Sequence, residues 1–230
     1  MGVELEQPLV SETVRTDNFT NEGGVDGTIR FLKNIMGLWL VQECRRTWMR
    51  DGTDYSYEDL VREAEAAPPL RSLVEPDDAS FWLPVRMPDA LAAYCRKTNQ
   101  PVPSTPGEFV RCALESMALK YRFVVERAEA LTGKKIELIH IVGGGSQNAL
   151  LNQWTADACC RTVLAGPVEA TALGNAMTQL MGLGEIKDLQ EGRDLVRRSV
   201  TLATHEPNDR GRWDEAYGRW RALRDEHRSP

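Results

Sequence analysis

Three consecutive glycines, Gly143-Gly144-Gly145, end the apolar run Ile139-His-Ile-Val142 and lead through Ser146, Gln147 and Asn148 into a helical pattern. A strand that stops at a glycine turn and resumes as a helix suits nucleotide binding. The first N–H groups of a helix have no partner within it, so they attract anionic oxygens. Glycine adds no Cβ to keep a ligand away. The same turn also serves as a tight connection in any α/β domain, and the glycines alone leave both readings open.

The dinucleotide fingerprint G-x-G-x-x-G fits poorly. Gly143 and Gly145 take its first two positions, but Asn148 stands where a third glycine would permit close helix–strand packing. Glu169 lies at about the expected distance, yet beyond Gly166-Pro167, and the turn comes late in the chain. Both features speak against a dehydrogenase. The five cysteines, Cys44, Cys95, Cys112, Cys159 and Cys160, form no C-x-x-C pair and have three histidines for company, so no zinc site is expected. Their odd number fits free thiols in a reducing compartment. Cys95 and Cys112 flank a proline-rich turn, near enough to be buried fillers or a pair that oxidises. His140, inside an apolar strand, reads as a satisfied core residue. Asp26 and Asp157 show no partner in the sequence, and neither is given a catalytic role.

A length of 230 residues accommodates one domain, 1–230, with a real core at 42% hydrophobic content. A net charge of −6 argues against nucleic-acid or anionic-membrane partners. No apolar run approaches the ~20 residues needed to span a bilayer, and no signal-peptide pattern opens the chain. A cytoplasmic location is expected.

The positioning elements follow from periodicity and punctuation. Met1 to Val14 reads as short extended segments, and Gly23–Gly27 as the turn of a hairpin. Helices are expected from Lys33 to Trp48, Tyr57 to Ala66 and Pro88 to Thr98. A loop with a brief extended piece runs from Leu73 to Pro84. Glu108 to Thr132 reads as a long amphipathic helix closed by Gly133. Strand Ile136–Val142, the glycine turn, a helix to Cys160, strand Thr162–Ala165 and a helix from Ala170 to Met181 make an α/β section. A last helix from Arg210 to His227 presents Trp213, Tyr217 and Trp220 as a docking stripe.

Four segments together carry a resemblance: Asn21-Glu-Gly-Gly24, Leu32-Lys-Asn-Ile-Met-Gly-Leu-Trp-Leu40, Ile141-Val-Gly-Gly-Gly-Ser-Gln-Asn148 and Gly166-Pro-Val-Glu-Ala-Thr-Ala-Leu-Gly-Asn175. The chain resembles the C-terminal lobe of the FGGY carbohydrate kinases, and especially their rhamnulose-phosphorylating branch, from near Met1 to about Glu185. The resemblance implies an α/β, ribonuclease-H-like domain of the actin and hexokinase ATPase fold with added helices. It implies ATP and Mg2+ as cofactors, and transfer of the γ-phosphate to the 1-hydroxyl of L-rhamnulose. It places the catalytic aspartate, the phosphate-gripping threonine turn and most sugar contacts in a preceding lobe, so the chain alone is expected to be inactive. No catalytic residue and no metal ligand is assigned within it. A non-catalytic nucleotide module and one half of a split kinase, completed by a separate N-terminal lobe, remain alternatives.

By the same resemblance, Gly144 matches the ATP-contacting glycine, with Gly143 and Gly145 shaping the turn. Asn34 and Gln42 match nucleotide-binding positions, and in one helix their spacing would put them on one face. Gln147 and Asn148 either touch adenine or cap the helix that follows. Glu169 and Lys33 read more simply as a helix-start residue and a solvated surface lysine.

Overall fold

The computed structural model of the protein describes residues 1–226, so His227 lies outside the described residues. The chain opens with β1 (Gly2–Leu5) and a short helix α1 (Glu12–Thr16). This helix replaces part of the expected extended stretch, because the Ser11 hydroxyl accepts the Val14 N–H and starts it. β2 (Thr20–Gly23) and β3 (Ile29–Leu32) form the expected hairpin.

Helix α2 (Trp39–Arg50) begins well after Lys33. The segment before it is irregular, and the Met36 N–H bonds to Asp77 Oδ1 at 2.7 Å instead of entering a helix. α3 (Tyr57–Ala66) is capped by Ser56 and stops before Pro68-Pro69. A 3-10 turn, Ala79–Phe81, stands in place of the brief extended piece. Then come α4 (Met87–Lys97), with Pro88 in its first turn, and α5 (Pro106–Thr132), ended by Gly133 at φ +68°.

β4 (Leu138–Ile141), α6 (Ala149–Cys159), β5 (Thr162–Ala165) and α7 (Ala170–Gly182) match the expected α/β section. Two further elements, α8 (Leu189–Ser199) and β6 (Ala203–His205), were not anticipated. α8 nevertheless carries a start signal. Asp188 Oδ1 accepts the Glu191 N–H at 2.9 Å, and Glu191 Oε2 reaches back to the Lys187 N–H at 2.8 Å. The last helix is α9 (Arg210–Glu226).

These elements divide into two compact units whose segments alternate along the chain. Among the described residues, one comprises Met1, Lys33–Arg127 and 209–226; the other comprises Gly2–Leu32 and Ala128–Asn208. The first is helical. Its α5 was expected to be amphipathic, but every residue from 110 to 120 is buried. The ionic side chains in that stretch find internal partners. Arg111 Nε binds Glu115 Oε1 at 2.7 Å, and Arg111 Nη1 donates to the carbonyls of Ala64, Glu65 and Ala67 at the end of α3. Trp213, Tyr217 and Trp220 are buried as the docking stripe, and Trp220 Nε1 donates to Val74 O at 2.8 Å.

The second unit holds two three-stranded sheets. β3 lies between β1 and β2, antiparallel to both, and Phe31 stacks on Phe19 with centroids 4.9 Å apart. In the other sheet β5 pairs parallel with β4, Ile141 opposite Ala165, and antiparallel with β6. Buried Ile139 and Val163 lie opposite each other in that parallel pair. The architecture is the mixed α/β class that the sequence implied. Among the described residues, no helix is long and apolar enough to cross a membrane.

Candidate functional site

The parallel pair β4–β5 sends both its following turns out at one end of the sheet, the edge where open α/β sheets bind ligands. The turn after β4 is a 3-10 turn, Gly144–Gln147, opened by Gly143 and closed by Asn148. Gly143 has φ +77° and ψ −166°, a conformation essentially restricted to glycine. Its N–H donates to Pro167 O at 2.9 Å, and the Gly166 N–H donates to Ile141 O at 2.8 Å. The two turns are thereby tied together.

Gly144 and Gly145 differ from Gly143. Neither has a positive φ, and a Cβ at either would meet nothing within 4 Å. The fold therefore requires glycine at 143 and not at 144 or 145. Gly144 is exposed in the turn that leads to α6, and its lack of a side chain leaves the backbone there open to a ligand.

Several bonds hold the turn from behind. Ser146 Oγ donates to Gly143 O at 2.7 Å, and Asn152 Nδ2 donates to Ser146 O at 2.9 Å. Asn148 Oδ1 accepts the Leu151 N–H at 3.0 Å, so its side-chain oxygen caps α6. Gln147 is exposed beside it. Asn152 was not anticipated. It is 1% exposed, and its Oδ1 has no hydrogen-bond partner. Its position four residues after Asn148, on the same helix face, was the available signal.

Asn34 and Gln42 belong to the other unit. The shared helical face expected for them does not exist, because Asn34 lies in the irregular segment before α2 and only Gln42 is on the helix. Asn34 is exposed and Gln42 half-buried. His140 is exposed on its strand rather than in the core, since side chains alternate and Ile139 takes the inward position. Asp157 does have partners: Gln153 Nε2 at 3.0 Å and the Asn208 N–H at 2.7 Å, a structural tie. Glu169 occupies the N-cap position of α7 without a side-chain cap bond. Cys95 and Cys112 are both buried free cysteines, and each shifts the other's ionisation. Among the described residues no cluster of His, Cys, Asp and Glu has the make-up of a metal site.

Residues 1–183 match the model of the FGGY family of carbohydrate kinases, C-terminal domain. The chain is 50% identical over 217 residues to a rhamnulokinase of Bacteroides thetaiotaomicron, covering 94% of this chain and 44% of that protein. It is 39% identical to a rhamnulokinase of Bacillus subtilis, covering 91% and 42% respectively. The chain thus spans less than half the length of these curated relatives. In fold it is similar to a ligand-bound xylulose kinase from Lactobacillus acidophilus, with a TM-score of 0.65 at 14% identity over 97% of this chain and 44% of that one. It is also similar to Plasmodium falciparum glycerol kinase with ADP, with a TM-score of 0.59 at 15% identity over 90% and 40%.

Proposed function

The chain belongs to the FGGY family of carbohydrate kinases as their C-terminal domain, and on that premise we propose that it is the nucleotide-binding half of an L-rhamnulose kinase. The intact enzyme would move the γ-phosphate of ATP to the 1-hydroxyl of the sugar. The observation that carries this reading is the exposed Gly144, open around its Cα, in a β4–α6 turn where the fold requires glycine only at position 143. Gly143, Gly144, Gly145, Gln147 and Asn148 would serve the nucleotide from this turn; the nucleotide role given to Asn34 and Gln42 rests on the resemblance of their segment to the family. Mg2+ would arrive on the phosphates, whose oxygens and waters suit it as ligands.

Phosphoryl transfer depends on positioning and on charge stabilisation, and needs a base within hydrogen-bond reach of the attacking hydroxyl. In this reading the base and most sugar contacts come from the remaining half of the kinase, and the chain alone transfers no phosphate. Calorimetric titration with Mg·ATP tests it, before and after addition of a rhamnulokinase N-terminal lobe. Binding that tightens with the lobe, together with sugar-dependent ADP release, is expected. Binding indifferent to the lobe would instead mark an independent nucleotide module, and no binding would mean the turn persists as fold alone.

A further inference from the structure

Segment 33–38 carries Asn34 but has no helix or strand of its own. Its backbone is tied at Lys33, whose N–H donates to Met1 O at 2.9 Å, and at Met36, whose N–H donates to Asp77 Oδ1 at 2.7 Å. The second tie ends on a carboxylate that is itself held. Asp77 Oδ2 lies 2.8 Å from Lys120 Nζ, and Lys120 Nζ also binds Glu75 Oε1 at 2.6 Å. Glu75 Oε1 in turn accepts the Asp77 N–H at 3.1 Å. The Lys120 side chain is 5% exposed, with the rings of Phe123 and Trp220 about its ammonium at 5.8 and 6.0 Å. Arg224 Nε, 3.7 Å from Glu75 Oε2, adds a second cation, so two carboxylates face two cations. The same loop also holds the start of α2, because Trp39 Nε1 donates to Phe81 O at 3.1 Å.

A buried lysine between two carboxylates is a costly way to stabilise a loop, since desolvation offsets much of the attraction. What it does supply is a fixed carboxylate oxygen. A charged acceptor makes a stronger hydrogen bond than a neutral one, and Asp77 turns that bond on the backbone two residues from Asn34. We infer that Asp77, oriented by Lys120, is a positioning residue that fixes the backbone of 33–38 and, through it, the Asn34 amide for nucleotide. The role given to Asn34 rests on the nucleotide reading above; the anchoring of the segment does not.

Two measurements on the full chain separate these parts. Hydrogen exchange without nucleotide should show Asp77→Ala speeding exchange of the Met36 amide at least about tenfold, with α2 beyond its first turn unchanged. Asp77→Asn, which keeps an acceptor oxygen, should recover most of the protection while Lys120 retains Glu75. Protection at Met36 that survives Asp77→Ala overturns the anchoring, and so does a loss spread evenly across the helical unit.

Titration with Mg·ATP then tests the relay in a double-mutant cycle. Asp77→Ala and Asn34→Ala should each weaken binding about tenfold, and the double variant should be no weaker than Asn34→Ala. Additive losses overturn the relay, because Asp77 would then act without Asn34. Exchange as expected in a parent chain that binds no Mg·ATP would overturn the nucleotide role while supporting the anchor.

Discussion

The Gly143 backbone N–H and the Pro167 carbonyl oxygen, 2.9 Å apart, join the two turns that leave the parallel strands β4 and β5. The reciprocal bond from Gly166 to Ile141 completes the link. The exposed face of the glycine turn is thereby set before any ligand arrives, and a preorganised backbone spares binding the cost of ordering it.

The glycines of this turn should respond differently to substitution. Gly143→Ala forces a side chain into a glycine-only conformation and should cost about 1–3 kcal/mol in urea unfolding. Gly144 is exposed and a Cβ there meets nothing within 4 Å, so the unfolding midpoint of Gly144→Arg should stay near the parent's while Mg·ATP binding is lost. Undiminished binding in that variant would remove the turn from the functional argument.

Asn148 is a cap first. Asn148→Ala should lower stability by about 1 kcal/mol, and Asn148→Ser should restore most of it, as read by thermal or urea unfolding. A nucleotide affinity that falls in Asn148→Ser while stability is retained would add a direct ligand contact to the capping role.

Burial raises the Glu115 carboxyl to about 7, against which Arg111 pulls downward. In the unfolded chain it returns to about 4.5, so the fold holds this proton more tightly than the unfolded state does. Its favourable contribution is complete below the unfolded value and is lost as pH rises through the folded one. Relative to the parent, Glu115→Gln should therefore gain stability between about pH 5 and pH 8, by at most about 3 kcal/mol. Urea titrations of both proteins across that range check it; a difference independent of pH would show that Glu115 does not titrate there.

Cys95 and Cys112 should be the pair that oxidises. Their mutual hydrogen bond, followed by burial, pushes Cys112 up, while the same bond lowers Cys95, which makes Cys95 the first thiolate. A mild two-electron oxidant such as diamide would take two hydrogens from the pair. Mass spectrometry under non-reducing conditions should then find the peptides of α4 and α5 joined, and Cys112→Ser should abolish the link. Joining of any other pair, or of none, would leave these thiols as packing groups.

Local signals made most of the second unit legible. The Gly23–Gly27 turn, strand Thr162–Ala165 and the glycine turn each announce themselves within a few residues, and the structure has all three. Long-range partners were not legible. Nothing near Met36 predicts that its N–H is taken by Asp77; α2 begins only at Trp39, so the helical face expected for Asn34 and Gln42 does not form. The burial of α5 was hidden in the same way, because the partners of Arg111, Glu115 and Lys120 that allow it lie elsewhere or become visible only in the folded chain. α8 was missed despite its Asp188–Glu191 start signal, since its short apolar pattern is faint beside the charges.

The alternation of the two units along the chain bears on the order of synthesis. Lys33 begins a core that Arg210–Glu226 completes, and the bond from Trp220 to Val74 closes across 146 residues. While the intervening residues are being made, the site that Trp213, Tyr217 and Trp220 will cover faces water, and Arg224 is not yet there to balance Glu75. Such late closure slows folding and prolongs the exposure of sticky surface. A chain that ended before Arg210 would leave this surface uncovered, because the helix that closes it would be missing.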